Sequence, residues 1–254
     1  ASKILVFVMF GLDSGSASDS VMLVALDRVH QKIKLISLAR DSYVFIPEFG
    51  SFSKLAYSYV WGGAAMAVKN LNYNYYLNVS DYIAVDFDQL AEIIDRIGGV
   101  TVNIDEDEAR YLSNYPNVRV GDCLLDGETA VSYARIRKSS ATDSDRKRTG
   151  RQREVILSIL NTLQTMPLSQ YPGFVRDCLG MCATSFEAET LLAMAAETLG
   201  QNYTVEQYFF PEGQVDWWAG LIKEYFYYVY DLRRASDRIY RIIYEELYIS
   251  GYDD

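Results

Sequence analysis

The chain has 254 residues, 50% hydrophobic and 23% charged, enough to bury a sizeable core as one large domain or two small ones. Its formal net charge of -10 and pI of about 4.7 argue against a general nucleic-acid binder, which needs a dominant basic face. No stretch reaches the roughly 20 apolar residues of a membrane span, and no leader-peptide pattern is present. Three cysteines (Cys123, Cys178, Cys182) make no disulfide framework, although Cys178 and Cys182 are close enough in sequence to leave pairing open. One histidine, His30, falls in a predicted turn, which disfavours a zinc site or a Ser-His-Asp triad.

Taken in chain order, Ile4 to Phe10 is a continuous apolar run that predicts a buried strand, followed by a polar loop through Ser16. Asp19 to Leu26 and Lys32 to Leu38 predict two more strands around a turn at Asp27 to Gln31, so that Arg40 and Asp41 arrive at a strand end. Asp41 to Ile46 predicts a strand stopped by Pro47. Ser53 to Val60 is ambiguous, and a helix is expected from Ala64 to about Leu71. Asp81 to Val85 predicts a strand. Asp88 to Ile97 predicts a helix with Gly98-Gly99 as its stop, and Val100 to Ile104 another strand. After a charged loop, Asp126 opens a short helix through Val131, Tyr133 to Arg137 is expected to be extended, and Arg151 to Leu163 to be helical. Helices are predicted at Glu187 to Leu199 and, as one long amphipathic element, Leu221 to Leu247, with a strand at Tyr203 to Phe210. Strands alternating with helices after an early hairpin predict an α/β fold: a three-layer α/β/α sandwich with a central mixed sheet covered by helices, in a single domain over 1–254.

The densest chemistry lies between Tyr133 and Arg153. There Arg135, Arg137, Lys138, Arg146, Lys147, Arg148, Arg151 and Arg153 face only Asp143 and Asp145. Guanidinium forks bind carboxylate or phosphate oxygens in pairs and keep their charge at working pH, so the cluster suits a strongly anionic ligand. A solvated loop and helix face is the competing reading.

Several short pieces keep a fixed order. Asp13 and Asp19 flank a Ser/Gly loop, and Arg40-Asp41 ends a strand. Lys54 precedes Ala56-Tyr57-Ser58-Tyr59 and Gly62-Gly63. Gly98-Gly99-Val100-Thr101-Val102 follows a helix. Leu125-Asp126-Gly127-Glu128 leads to Tyr133-Ala134-Arg135-Ile136-Arg137, and then comes Asp145-x-x-Arg148-x-x-Arg151-Gln152. This ordered set resembles the LytR-CpsA-Psr family of bacterial cell-envelope enzymes, well over residues 3–165 and more loosely over 166–254. The resemblance implies a polyprenyl-pyrophosphate-linked glycopolymer as donor and peptidoglycan as acceptor. It implies phosphotransfer attaching teichoic acid or capsule, with pyrophosphatase as a side activity; the acidic pI and the lack of a DNA-reading motif speak against a nucleic-acid partner. It also implies a place on the extracytoplasmic face of the cytoplasmic membrane, anchored by one helix before the first strand.

The residue types suit that chemistry, because phosphoryl transfer rests on positioning and charge stabilisation. Arg135 and Arg137, two apart on a strand, would share one face. Arg148, Arg151 and Gln152 are neighbours on a helix. With Arg40 and Lys54 they make the expected phosphate-binding set. Asp13 and Asp19 are hard oxygen donors suited to Mg²⁺, or Mn²⁺. Arg40, Asp145 and Arg148 are the expected catalytic residues, with Asp145 either orienting an arginine, the favoured role, or acting as base on the acceptor hydroxyl. Structural duties compete with each role: turn or cap for Asp13 and Asp19, a surface pair for Arg40-Asp41, a helix cap for Asp145. Apolar residues of the helices at 64–71, 90–97 and 155–163 are candidates for the wall of a lipid tunnel or for ordinary core. The sequence departs from the family pattern where an arginine usually stands two residues before the second loop aspartate, because Ala17 occupies that place. That departure motivates the alternative of a catalytically degenerate polyprenyl-phosphate-binding module.

Overall fold

A computed structural model describes residues 3–13, 18–137, 141–199, 203–211 and 215–244, apart from the side chains of 141–145, 168 and 199. Two compact units are distinguished: Ala1–Ile83 with Tyr203–Asp254, and Ala84–Asn202.

The first unit begins with β1 (Ile4–Leu12), β2 (Ser18–Asp27) and β3 (Lys32–Leu38), paired antiparallel in sequence, with β10 (Thr204–Phe210) added parallel to β3. Within this unit the order β10-β3-β2-β1 makes a mixed sheet; β6 (Tyr82–Asp86) follows at the unit's boundary, and the short β9 (Ala183–Thr184) belongs to the second unit. β2 is covered on both faces, which explains its apolar run Val21 to Leu26. Inside β3, Lys34 is buried; its ammonium donates to the Ile242 carbonyl at 2.8 Å and lies 3.7 Å from Asp27. It thereby fastens the last turn of α8 (Leu232–Tyr244) to the sheet.

Two hairpins complete this unit: β4 (Tyr43–Ile46) with β5 (Ser51–Lys54), and β11 (Trp217–Ile222) with β12 (Tyr225–Tyr230). The second replaces the first part of the long helix expected from Leu221. The run Tyr225-Phe-Tyr-Tyr-Val-Tyr230 is aromatic and β-branched and favours a strand. Lys223 takes a left-handed φ of 54° in the two-residue turn, so the chain reverses there. The ambiguous segment resolves into β5 and the start of α1 (Tyr57–Tyr75), whose helical dihedrals break at Gly62 and Gly63.

The second unit packs α2 (Phe87–Arg96), β7 (Val100–Ile104), α3 (Glu106–Tyr111), β8 (Gly121–Leu125), α4 (Gly127–Arg135) and α5 (Ala141–Gln164) around Ile94, Val102, Leu125, Tyr133 and Val155. α6 (Tyr171–Met181) and α7 (Ala188–Leu199) follow. The predicted charged loop contains α3 and β8; β8 pairs antiparallel with β7. Gly127 must lack a side chain, because a Cβ there would meet the Ala91 carbonyl oxygen of α2 at 2.0 Å. No helix among the described residues is long and apolar enough to cross a membrane.

Candidate functional site

In the first unit the predicted residues form a file of alternating charge. Gly11 pairs with Ser20 and Leu12 with Ser18, so Asp19 is the extra residue of a β-bulge. A bulge re-aims a side chain, and Asp19, 5% exposed, is ion-paired with the Arg40 guanidinium. Arg40 Nε is buried without a hydrogen-bond partner among the described residues, 3.7 Å from Asp41 Oδ2. Asp41 Oδ1 accepts from Lys54 Nζ at 2.7 Å, and Lys54 lies over the Tyr227 ring at 5.7 Å. Asp13 follows β1 at the same end of the β1–β2 pair.

The turn that carries Arg40 is held from several sides. Ala39 N–H donates to the Phe210 carbonyl at 2.8 Å, Ala56 N–H to Arg40 at 3.0 Å, Leu55 N–H to Ser42 at 3.0 Å and Tyr228 N–H to Asp41 at 3.0 Å. Beneath it a buried hydroxyl relay runs from Ser42 to Tyr230 at 2.8 Å and on to Tyr75 at 2.5 Å. Burial raises the Tyr230 hydroxyl to about 12 despite these bonds, and raises Tyr75 as well. None of β12's contribution was legible in the sequence, because residues 221–230 read there as helix.

In the second unit the arginines divide by environment. Asp126 caps α4 by accepting from Thr129 N–H, and the helix runs through Arg135. Tyr133 to Arg135 are therefore helical, not extended, because the cap and the buried face of Ala130, Tyr133 and Ala134 carry the helix on. Arg135 is exposed and stacks over Phe87 at 4.6 Å; buried Ile136 separates it from exposed Arg137. α5 begins ten residues before the predicted start. Asp145 falls inside it, and the Asp145 side chain lies outside the described residues.

Arg148, Thr149, Arg151, Gln152, Val155 and Ser158 make the buried stripe of α5, with Arg148 only 3% exposed. Arg146 and Lys147 are exposed. The stripe docks on β7 through Ser158 Oγ, which accepts from Thr101 N–H at 2.8 Å, and through Glu154, which accepts from Asn103 N–H at 3.0 Å and Tyr133 OH at 2.6 Å. Arg151 is committed to architecture: its fork donates to Glu108 at 3.1 Å and to the Ile136 carbonyl. Glu108 also accepts from Asp105 N–H at 3.0 Å in the capping box of α3. Gln152 Oε1 is buried without a hydrogen-bond partner among the described residues. A cavity of ≈ 610 Å³ in this unit is lined by Asp95, Gly98, Tyr115, Asn117 and Glu128 among others, and by none of the predicted site residues.

For a metal, Asp13 and Asp19 are the donors to test. No group of three or more His, Cys, Asp or Glu side chains able to hold an ion occurs among the described residues. Mg²⁺ commonly takes one or two carboxylates and completes its shell with water and phosphate oxygens, so Asp13 and Asp19 are of the donor type it takes. One Asp19 oxygen is already turned to Arg40.

A mixed sheet with helices, carrying an arginine-aspartate file at a bulged strand end, defines an α/β protein. The chain belongs to the LytR_cpsA_psr family, whose model matches residues 3–240. It is 29% identical over 166 residues, 63% of this chain and 54% of the relative, to the polyisoprenyl-teichoic acid–peptidoglycan teichoic acid transferase TagU of Enterococcus faecalis. Its fold is that of TagT bound to LI-WTA, with a TM-score of 0.80, 20% identity, and coverage of 95% of this chain and 91% of that one. It is also that of YwtF (TagT) with bound octaprenyl pyrophosphate lipid, with a TM-score of 0.76, 18% identity, and coverage of 95% and 91%. The chain spans about half the length of the curated relatives it matches.

Proposed function

We propose that the protein transfers a glycopolymer phosphate from a polyprenyl-pyrophosphate carrier to a peptidoglycan hydroxyl, outside the cytoplasmic membrane. The observation that carries this reading is the Arg40 turn. A guanidinium with a buried, unsatisfied Nε stands beside the bulged Asp19, in a chain whose relatives include a teichoic acid transferase and whose fold includes a pyrophosphate-lipid complex. The acceptor oxygen attacks the phosphorus that bears the polymer. The bond from that phosphorus to the bridging oxygen breaks, polyprenyl phosphate leaves, and the hydroxyl proton passes to solvent. Arg40 binds the phosphate oxygens on which charge grows. Arg137 and Arg148 are assigned to phosphate oxygens in the second unit, and Asp145 to orienting an arginine. Arg135 and Lys54 are assigned supporting charge, since each already has a partner. Asp13 and Asp19 would hold Mg²⁺, or Mn²⁺, which when bound neutralises charge on the phosphates. Water in place of the acceptor hydroxyl would give pyrophosphatase activity.

A second reading, lipid binding without turnover, is favoured by Ala17 in place of the family's loop arginine. Incubating the chain with polyprenyl pyrophosphate, with and without Mg²⁺, separates the two. Metal-dependent phosphate release that falls by about a hundredfold or more in Arg40→Ala supports transfer. Undiminished release in that variant removes the Arg40 assignment, and bound lipid with no release favours the second reading.

A further inference from the structure

We propose that the outward faces of the β4–β5 and β11–β12 hairpins form one surface that seats on a phospholipid bilayer at headgroup depth. In β4–β5, Val44 and Ile46 are fully buried, so the alternation of the strand sends Tyr43 and Phe45 to the opposite face. The register pairs them with Lys54 and Phe52. In β11–β12, Tyr228 is buried against Ala39 and Phe209 with Ala219, Phe226 and Tyr230 on its face, and Tyr227, on the other face, is buried edge-on to Tyr43. The other face carries Trp218, Gly220 and Ile222 opposite Val229, Tyr227 and Tyr225.

An outward hairpin face is ordinarily polar; both of these are aromatic. Tyr43 joins them, stacked on Phe52 at 4.9 Å and edge-on to Tyr227 at 4.9 Å. Phe52, Trp218 and Tyr225 are 52%, 50% and 56% exposed. Rings with apolar bodies and polar tips match the zone between acyl chains and water.

Charge and continuity select the occupant. In a chain of net charge -10, Lys54 is the only charged residue among the four outward paired positions of β4–β5, and the six of β11–β12 carry none. A face without carboxylates does not repel anionic headgroups. At Lys54 and Tyr227 this face runs into the Asp41–Arg40–Asp19 file, so it adjoins the place proposed for the phosphate of a membrane lipid. The choice of a bilayer as occupant rests on that functional reading.

The test is co-sedimentation of the chain with vesicles of phosphatidylcholine and phosphatidylglycerol that contain no polyprenyl lipid. The double variant Phe52→Ser, Trp218→Ser should partition about tenfold less than the wild type while its circular dichroism stays that of the folded wild type at the assay temperature, whereas Phe52→Trp should retain partitioning. No partitioning of the wild type, or equal partitioning of the double variant, overturns the proposal. So does light scattering that shows a lipid-free dimer lost in the double variant, because a second copy would then cover the face. Turnover of detergent-solubilised polyprenyl pyrophosphate should be the same in both proteins. Its absence from both would count against the proposed reaction and leave the vesicle result standing.

Discussion

Arg40 in the first unit and Arg151 in the second are both shielded guanidiniums that face a carboxylate, but they are held differently. Arg151 donates both arms of its fork, to Glu108 and to the Ile136 carbonyl, and is 4% exposed. Both keep a buried Nε without a hydrogen-bond partner among the described residues, but the Arg40 side chain is 21% exposed and sits on a turn whose backbone is fixed by neighbours rather than by its own side chain. A charge whose fork ends are both engaged in the interior is part of the framework. A partly exposed one on a rigid mount is available to a ligand.

The largest effect that could break this contrast is on stability. Arg151→Ala strands Glu108 in the interior, and denaturant unfolding should show a loss of about 3–5 kcal/mol. A loss below about 1 kcal/mol would mean that Glu108 is reached by water. Arg40→Ala removes the ion partner of the buried Asp19 and should also lose stability, but phosphate release should collapse in that variant and persist in folded Arg151→Ala. Phosphate release retained in Arg40→Ala, or lost in folded Arg151→Ala, would erase the distinction.

The hydroxyl relay under the Arg40 turn gives a pH test. Tyr75 and Tyr230 are raised chiefly by burial, and Tyr133 by burial and then by its bond to Glu154. The folded protein therefore keeps protons that unfolded tyrosines release near pH 10. Stability should be full below about pH 10 and decline from there towards pH 12, as Tyr230 ionises. Denaturant melts across that window should show the decline, shallower in Tyr230→Phe. A flat profile would mean the relay is hydrated. The smallest effect is expected for Arg135→Ala, which removes an exposed stack on Phe87 worth about 0.5–1 kcal/mol. Any larger drop would show that Arg135 supports α4 in another way.

Much of this was legible in the sequence where pattern and environment agree. The buried run of β1, the β2–β3 pair and the cap-and-stop of α2 have periodicity and end signals that point one way. The extended reading of Arg135 and Arg137 failed because two arginines two apart look alike on a strand and at a helix end; the Asp126 cap decided the matter. The long helix from Leu221 failed because nearly every residue of the aromatic run is apolar, so spacing carried no information and the Lys223-Glu224 turn has no glycine or proline to mark it. Motif order singled out Asp19 and Arg40, which the fold ion-pairs, but gave no sign of the commitment of Arg151 to Glu108. Their separation of 43 residues leaves no trace in local spacing.

β3 finds its outer neighbour only when β10 joins it, some 170 residues later, and the Lys34 ammonium finds the Ile242 carbonyl 208 residues downstream. During synthesis β3 is thus an open, apolar sheet edge until β10 has emerged. Nascent chains stopped before residue 204 would be the aggregation-prone species, and shielding that edge is what an assisting chaperone would contribute.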